Sequence, residues 1–507
     1  MKIILTTLNA RYAHSAIGLR YLYANLHELQ DRSMIMEFSI NDATQTIAEK
    51  LLQKNPSIIG IGVYIWNARE VADLVHILKK VSPQTIIILG GPEVSYTPLR
   101  VDFNQVDYII QGEGERSFYN LCKDLIQNPQ TTQKEKPHTI AMDLPKLKEL
   151  NLPYSFYTNE DIKNRYIYVE VSRGCPFLCE FCLSSIDEKV RTFDLDKVLQ
   201  AFEDLWQRGA RAFKFVDRTF NINIRTANKI LDFFLSKEEE YFVHFEVIPD
   251  HFPLSLRQKL QAFPPRALQL EIGIQTLNPE IGENISRTID LHKMRENISF
   301  LENQTDAHIH LDLIVGLPGE SLESFGENLN TLVSLSSCEI QIGILKKLSG
   351  THIDRHDQKY EMIYSDIPPY DILQNKDLSF ETIQIMKRFA RFWDLLYNSK
   401  NFKSTLLLLW QKESVFTSFY ALCLWIYTQT DATYKISLDR ISALLFKYLT
   451  EVKKEKAQEV ALTLEKDILG VKGRAIPPYL KPYLKATQVK EQYVTKSSNF
   501  NKRQKKL

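Results

Sequence analysis

Twice along this chain, short and almost wholly apolar runs alternate with stretches whose apolar residues recur every three to four positions. That rhythm limits the fold more than any single motif. In the first stretch the apolar runs fall at residues 2–6, 34–40, 58–65, 85–90 and 108–111. Between them Leu19, Leu22, Leu26 and Leu29, then Ala68, Val71, Leu74, Val75 and Leu78, carry helical spacing. Strands alternating with such helices predict a doubly wound, Rossmann-like parallel sheet. Ligands of such sheets sit beyond the carboxyl ends of the strands. The second stretch repeats the rhythm at residues 166–171, 213–217, 244–248, 268–275, 308–315 and 339–345. These units are too few to close an eight-stranded barrel, so an open, partial (β/α)6 barrel of the TIM type is expected. Beyond about residue 360 the period becomes helical, as at 382–397 and 438–452, and predicts a mainly α region. The fold class is therefore α/β with a helical end.

A chain of 507 residues is too long for one ordinary core. The expected divisions are a first domain at 1–127, a linker at 128–164, the barrel at 165–358, a helical domain at 359–484 and a basic, disordered tail at 485–507. The linker is suggested by the polar, turn-forming residues 128–137. The tail sets Lys490, Lys496, Lys502, Arg503, Lys505 and Lys506 against Glu491, and reads as a solvated end or as an arm for RNA or a partner. A net charge of +1 gives no general drive toward nucleic acid or anionic membranes. The greasiest run, 415–427, is too short to span a bilayer, and the first residues lack a signal-peptide cleavage pattern. A cytoplasmic, membrane-free protein is expected.

Six cysteines make no disulfide framework, yet three of them lie within eight residues, in the run Cys175-Pro-Phe-Leu-Cys179-Glu-Phe-Cys182. Such spacing lets one loop wrap three thiolates around three irons of a cubane cluster. No fourth cysteine is near, so one iron stays open, which separates catalytic from structural metal sites. A zinc site would need a distant histidine, because none lies between residues 139 and 243.

The Cys-x3-Cys-x-aromatic-Cys run, placed directly after a first barrel strand, resembles the radical S-adenosylmethionine (SAM) superfamily. The resemblance implies a [4Fe–4S] cluster on Cys175, Cys179 and Cys182. Its open iron chelates SAM, and reductive cleavage yields a 5′-deoxyadenosyl radical. A flavodoxin- or ferredoxin-type donor supplies the electron. The resemblance further implies that Phe181 packs near the adenine and that Asp217 holds the methionine amino group, with Arg218 where many relatives carry a second acid. Glu271 and Gln275 point toward the ribose and methionine ends, and Gly316 permits close approach to the adenine.

Before the barrel, no G-x-G-x-x-G or P-loop pattern follows the first strand. Small residues instead gather at successive strand ends: Asn9 to Gly18, Gly62-Val-Tyr64, Gly90-Gly91 and Gly112-Glu113. Their order resembles the cobalamin (B12)-binding domain carried by one large radical SAM class. That resemblance implies cobalamin lined by Tyr64, Gly90, Gly91 and Glu113, with His14 near the cobalt. The chain departs from the base-displacing D-x-H-x-x-G pattern, having Tyr12 and Ile17 in place of the acid and the glycine. Such a protein is expected to methylate an unactivated centre on a small molecule, peptide or RNA. The alternatives are a cobalamin-dependent radical cyclisation or rearrangement without methyl transfer, and a non-catalytic cobalamin or iron–sulfur sensor. A methylthiotransferase is disfavoured, because it needs a second cluster and the first domain offers only Cys122.

Overall fold

Alternate residues of a strand face opposite ways, and that parity builds the first domain. The computed structural model describes residues 1–128 and 137–484. Its first sheet contains β1 (Ile3–Asn9), β2 (Ser33–Ser39), β3 (Ile58–Gly62), β4 (Ile86–Gly90), β5 (Tyr108–Ile110) and β6 (His138–Ile140), in the order β2-β1-β3-β4-β5-β6. All its pairings are parallel. Ile4 and Leu8 pack with α2 (Thr44–Leu52) and α3 (Ala68–Val81), while Ile3 and Leu5 pack with α1 (Ile17–Ala24) and α4 (Glu115–Gln127). The expected doubly wound sheet is present. Its strand order reverses between β1 and β3, where such sheets open a crevice.

The linker expectation needs correction. Residues 138–140 form β6, and the chain beyond them is packed in place. Tyr154 and Tyr157 are buried, and their hydroxyls donate to Glu170 O (2.9 Å) and Tyr168 O (2.7 Å). A capping box of Thr158 and Asp161 then starts α5 (Asn159–Asn164). Asp161 receives the buried Arg20 of α1 at 2.8 Å. Turn-forming polar residues at the start of this stretch masked two buried tyrosines and a legible T-x-x-D cap. The tail expected at 485–507 lies outside the described residues.

The second sheet is an open, all-parallel barrel wall in the order β14-β13-β12-β11-β10-β7. It begins with β7 (Ile167–Val169), followed by a small ribbon of β8 (Ser172–Arg173) and β9 (Arg191–Thr192). Then come β10 (Ala212–Phe215), β11 (Phe242–Val247), β12 (Leu268–Gln275), β13 (His308–Val315) and β14 (Glu339–Ile344). The covering helices are α6 (Leu195–Gln207), α7 (Ile224–Leu235), α8 (Leu254–Gln261), α9 (Pro279–Asn284), α10 (Leu291–Gln304) and α11 (Leu322–Leu335). Asp194, Asn223, Asp290 and Ser321 cap four of them with side-chain oxygens. Along β12 every second residue, from Leu268 to Ile274, is buried toward the helices. The alternate set, Gln269, Glu271, Gly273 and Gln275, is left to the concave side.

A hairpin of β15 (Ile363–Tyr364) and β16 (Ile372–Gln374) leads into α12 (Phe380–Trp393), α13 (Lys403–Leu409), α14 (Val415–Thr430), α15 (Leu438–Lys447), α16 (Ala457–Leu469) and α17 (Lys481–Leu484). Barrel and helices share one continuous hydrophobic cluster. The expected boundary near 358 therefore marks a change of element type, not a gap in packing. Among the described residues no helix is long and apolar enough to cross a membrane.

Candidate active site

The cysteine loop leaves β7 and is pinned at both ends by backbone geometry. Gly174 has φ +88°, and a Cβ there would lie 2.4 Å from Lys189 O, so only glycine lets the β8–β9 ribbon close. Cys175 N donates to Asp187 O at 3.0 Å, and Cys182 N donates to Cys179 O at 3.0 Å. All three thiols are free. Between Cys179 and Phe181 the chain turns Glu180 away from the thiols. Its buried carboxylate accepts from Ser286 Oγ (2.7 Å) and His356 Nε2 (2.7 Å) and meets Arg355. The loop is thereby anchored to the barrel rim on its far side.

The thiols form one wall of a cavity of about 220 Å³ at the carboxyl ends of the barrel strands. Phe181, Glu271 and Gln275 line it with them, as the sequence reading expects. Arg218, Glu246, Asp312 and Arg287 complete the lining and were not assigned from sequence. Glu246 and Asp312 stand on the concave parity of β11 and β13, where alternation was the available signal, while Arg218 and Arg287 come from loops.

The cavity is strongly polar, and its charges are graded. His244 Nε2 lies 3.0 Å from Glu271 Oε2, and that hydrogen bond holds the Glu271 carboxyl below its ordinary value. Burial pushes Glu246 up, with Glu271 adding to the shift and Arg218 opposing it from 3.0 Å. Burial also raises Asp312 well above the usual carboxylate range, reinforced by Glu271 and Glu246 and opposed by Arg287. Arg287 Nη1 donates to Cys179 Sγ at 3.4 Å while Nη2 donates to Gly273 O. Burial raises Cys175, and the neighbouring sulfurs of Cys182 and Cys179 add to the shift. Three converging thiols with one guanidinium suit a ligand that accepts sulfur as thiolate and carries positive charge.

Two residues expected to contact SAM lie outside the cavity lining. Asp217 is buried; it accepts from Val171 N (3.1 Å) and takes the Ser172 hydroxyl at 2.5 Å. It ties the root of the cysteine loop, and its neighbour Arg218 faces the cavity in its place. Gly316 has φ +92°, and a Cβ there would sit 2.7 Å from Ile372 Cγ2. Its missing side chain makes room for β16 and is no part of the cavity lining.

The carboxyl strand ends of the first sheet confront those of the barrel. Tyr96, after β4, covers Gly350, where a Cβ would come 2.4 Å from the ring. Arg100 stacks on Tyr370 (4.4 Å) and donates to Lys347 O, and the Tyr370 hydroxyl meets Glu93. Glu113, expected to contact cobalamin, is ion-paired with Arg173 (2.8 Å) and Arg191 of the cysteine ribbon. His14 turns toward β7, its Nδ1 2.6 Å from Tyr168 Oη, and burial together with Lys214 and Arg11 lowers its pKa. Gly91 (φ +106°) is a turn glycine, since a Cβ would meet Val63 O at 2.5 Å. Gly90 is different. Its Cα is open, with no atom closer to a built Cβ than Ile110 O at 3.8 Å. Tyr64 stacks on the half-exposed Trp66 at 4.5 Å beside the β1–β3 switch point. An open glycine edge beside the exposed ring of Trp66 fits a large planar ligand.

Comparison with known proteins gives the domains their relatives. Residues 3–122 match the B12 binding domain, and residues 169–332 match the radical SAM superfamily. This chain carries a B12 binding domain followed by a radical SAM domain. Residues 358–507 match a family described as a protein of unknown function (DUF4080). An uncharacterised methyltransferase of Pyrococcus horikoshii is 22% identical over 66% of this chain and 77% of its own length. The cobalamin-dependent radical SAM methyltransferase TokK of Streptomyces tokunonensis is 21% identical over 59% of this chain, which spans only 48% of TokK. The cobalamin-dependent SAM radical enzyme OxsB, solved with aqua-cobalamin bound, shares the fold with a TM-score of 0.61 at 13% identity, covering 95% of this chain and 84% of OxsB. A radical SAM enzyme of this class uses a [4Fe–4S] cluster, SAM and cobalamin.

Proposed function

We propose that this radical SAM protein methylates an unactivated carbon centre, in the cytoplasm, with electrons from a flavodoxin- or ferredoxin-type donor. The observation that carries the reading is the confrontation of two sites. A cavity walled by three free thiols opens at the barrel's carboxyl end, and residues 3–122, which match a B12 binding domain, meet the rim of that end through Arg100 with Lys347 O and Glu113 with Arg173. When bound, the cluster with SAM supplies a carbon-centred radical and cobalamin supplies a methyl group.

The chain's own residues have definable tasks. Cys175, Cys179 and Cys182 would hold three irons, and Arg287 offsets thiolate charge at Cys179. Glu271, kept ionised by His244, and Gln275 would orient a cationic, hydroxyl-rich ligand. Asp312, with its raised proton affinity, would donate a hydrogen bond from the cavity floor. The Arg173–Glu113 ion pair keeps the two strand-end faces together and limits the entry of water. That one relative is named a methyltransferase and another a cobalamin-dependent radical SAM methyltransferase supports the assignment.

The test is incubation of anaerobically reconstituted, cobalamin-loaded protein with SAM labelled in its methyl group, a reductant and cell extracts. A labelled product heavier by one methylene equivalent is expected. Formation of 5′-deoxyadenosine with an unlabelled product of unchanged carbon count would assign a rearrangement or cyclisation instead. Absence of 5′-deoxyadenosine would point to a sensor.

A further inference from the structure

At the opposite, amino-terminal end of the barrel strands lies a second cluster of metal-ligating side chains. His308 and His310 stand two residues apart on β13, so strand parity puts both imidazoles on one face. Glu339, the first residue of the edge strand β14, is in direct register with His310. Its two carboxylate oxygens reach both rings, Oε1 at 2.9 Å from His308 Nε2 and Oε2 at 3.3 Å from His310 Nε2. The three ligand atoms lie within 4.8 Å of one another. Around a tetrahedral zinc with bonds of about 2.0–2.1 Å, neighbouring ligand atoms sit about 3.3 Å apart. His310 and Glu339 are buried, while His308 is 37% exposed and leaves an approach from solvent.

We propose that His308, His310 and Glu339 bind a divalent zinc ion that clips the edge strand β14 to β13. Two imidazoles and a carboxylate are a donor set suited to zinc. Binding needs no net proton change when each neutral imidazole moves its single proton from Nε2 to Nδ1. At His310 that proton then faces the Gln341 side-chain amide, 2.6 Å away, which presents its carbonyl after a half-turn. Lys400 lies within electrostatic reach of Glu339, but its ammonium donates to Ser337 O at 2.6 Å. The amino-terminal face of such barrels serves stability, and β14 is the terminal strand of the wall, where the side chain of Asn398 already holds Ile340 N (3.0 Å) and O (2.9 Å). The role is therefore structural and independent of the cysteine site.

The test is zinc content after equilibration of the full chain with zinc chloride and gel filtration, beside thermal unfolding with and without a chelator. Wild type should retain one zinc per chain and lose several degrees of Tm on chelation. The Cys175→Ala/Cys179→Ala/Cys182→Ala variant should retain the same zinc, which separates this site from the cluster site. His308→Ala, at a partly exposed position that tolerates truncation, should lose at least tenfold in zinc affinity, and Glu339→Gln should weaken it similarly. Equal zinc in wild type and His308→Ala, or zinc lost only from the cysteine variant, would overturn the proposal.

Discussion

Glu180 decides how firmly the cysteine loop is held, because it sits between two cluster cysteines yet spends its charge on the opposite side. Glu180→Ala leaves Arg355 and the buried His356 without their partner. Removing one member of such a buried set costs about 3 kcal/mol. The expected outcome is a several-fold drop in iron per chain at equal protein, read by iron assay, with Glu180→Gln retaining more because it still accepts from Ser286. Asp217 gives a pH-dependent counterpart. Burial pushes its carboxyl up to about 7 from the ordinary 3.8. A raised carboxyl pKa favours the protonated folded form, so this contribution is complete below about pH 4 and is lost as pH rises through 7. Wild-type Tm should therefore decline over that window more steeply than that of Asp217→Asn. Parallel profiles for the two would refute the assignment.

At the scale of elements, periodicity predicted both sheets because parallel strands buried on both faces read as continuous apolar runs. Both the first sheet and the six-stranded barrel wall were legible for that reason. The missed strand β6 has only three residues, His138–Ile140, and carries no such run. The convergence of Cys175, Cys179 and Cys182 on one cavity wall was legible because their spacing is local. Arg287 and Asp312 were not, since what makes them cavity residues is the fold that brings positions more than a hundred residues along the chain to the cysteine loop. Asp217 and Arg218 show the remaining limit: both lie past the end of β10, where strand alternation no longer says which side chain faces the cavity. The ribbon of β8 and β9 is the element on which the loop depends most. Gly174→Ala would drive a Cβ into Lys189 O, so a loss of about 1–3 kcal/mol is expected from strain alone. Chemical denaturation and a cluster absorbance spectrum would register it together.

Across the whole molecule, Arg173 is the principal link between the halves. It leaves the cysteine ribbon, passes over Tyr21 (4.7 Å), and meets Glu113 (2.8 Å), Glu115 (2.8 Å) and Glu170 (2.9 Å). Glu115 and Glu170 are almost fully buried. Arg173→Met would strand their charges, at a cost of about 3–5 kcal/mol. The B12 binding domain should then unfold in a separate, earlier transition, visible by calorimetry as two peaks where wild type shows one. The same link explains how one chain can present two cofactor sites to each other without a flexible tether. Glu113, read from sequence as a ligand contact, takes part in that link because Arg173 and Arg191 reach it from the ribbon.

The central claim is that three cysteines leave one iron open to SAM. Electron paramagnetic resonance of the reduced, reconstituted protein tests it most directly, recorded with and without SAM. A single [4Fe–4S] signal that shifts on addition of SAM, and that vanishes in the Cys175→Ala/Cys179→Ala/Cys182→Ala variant, is the predicted result. A signal indifferent to SAM, or one that survives loss of all three thiols, would contradict the account.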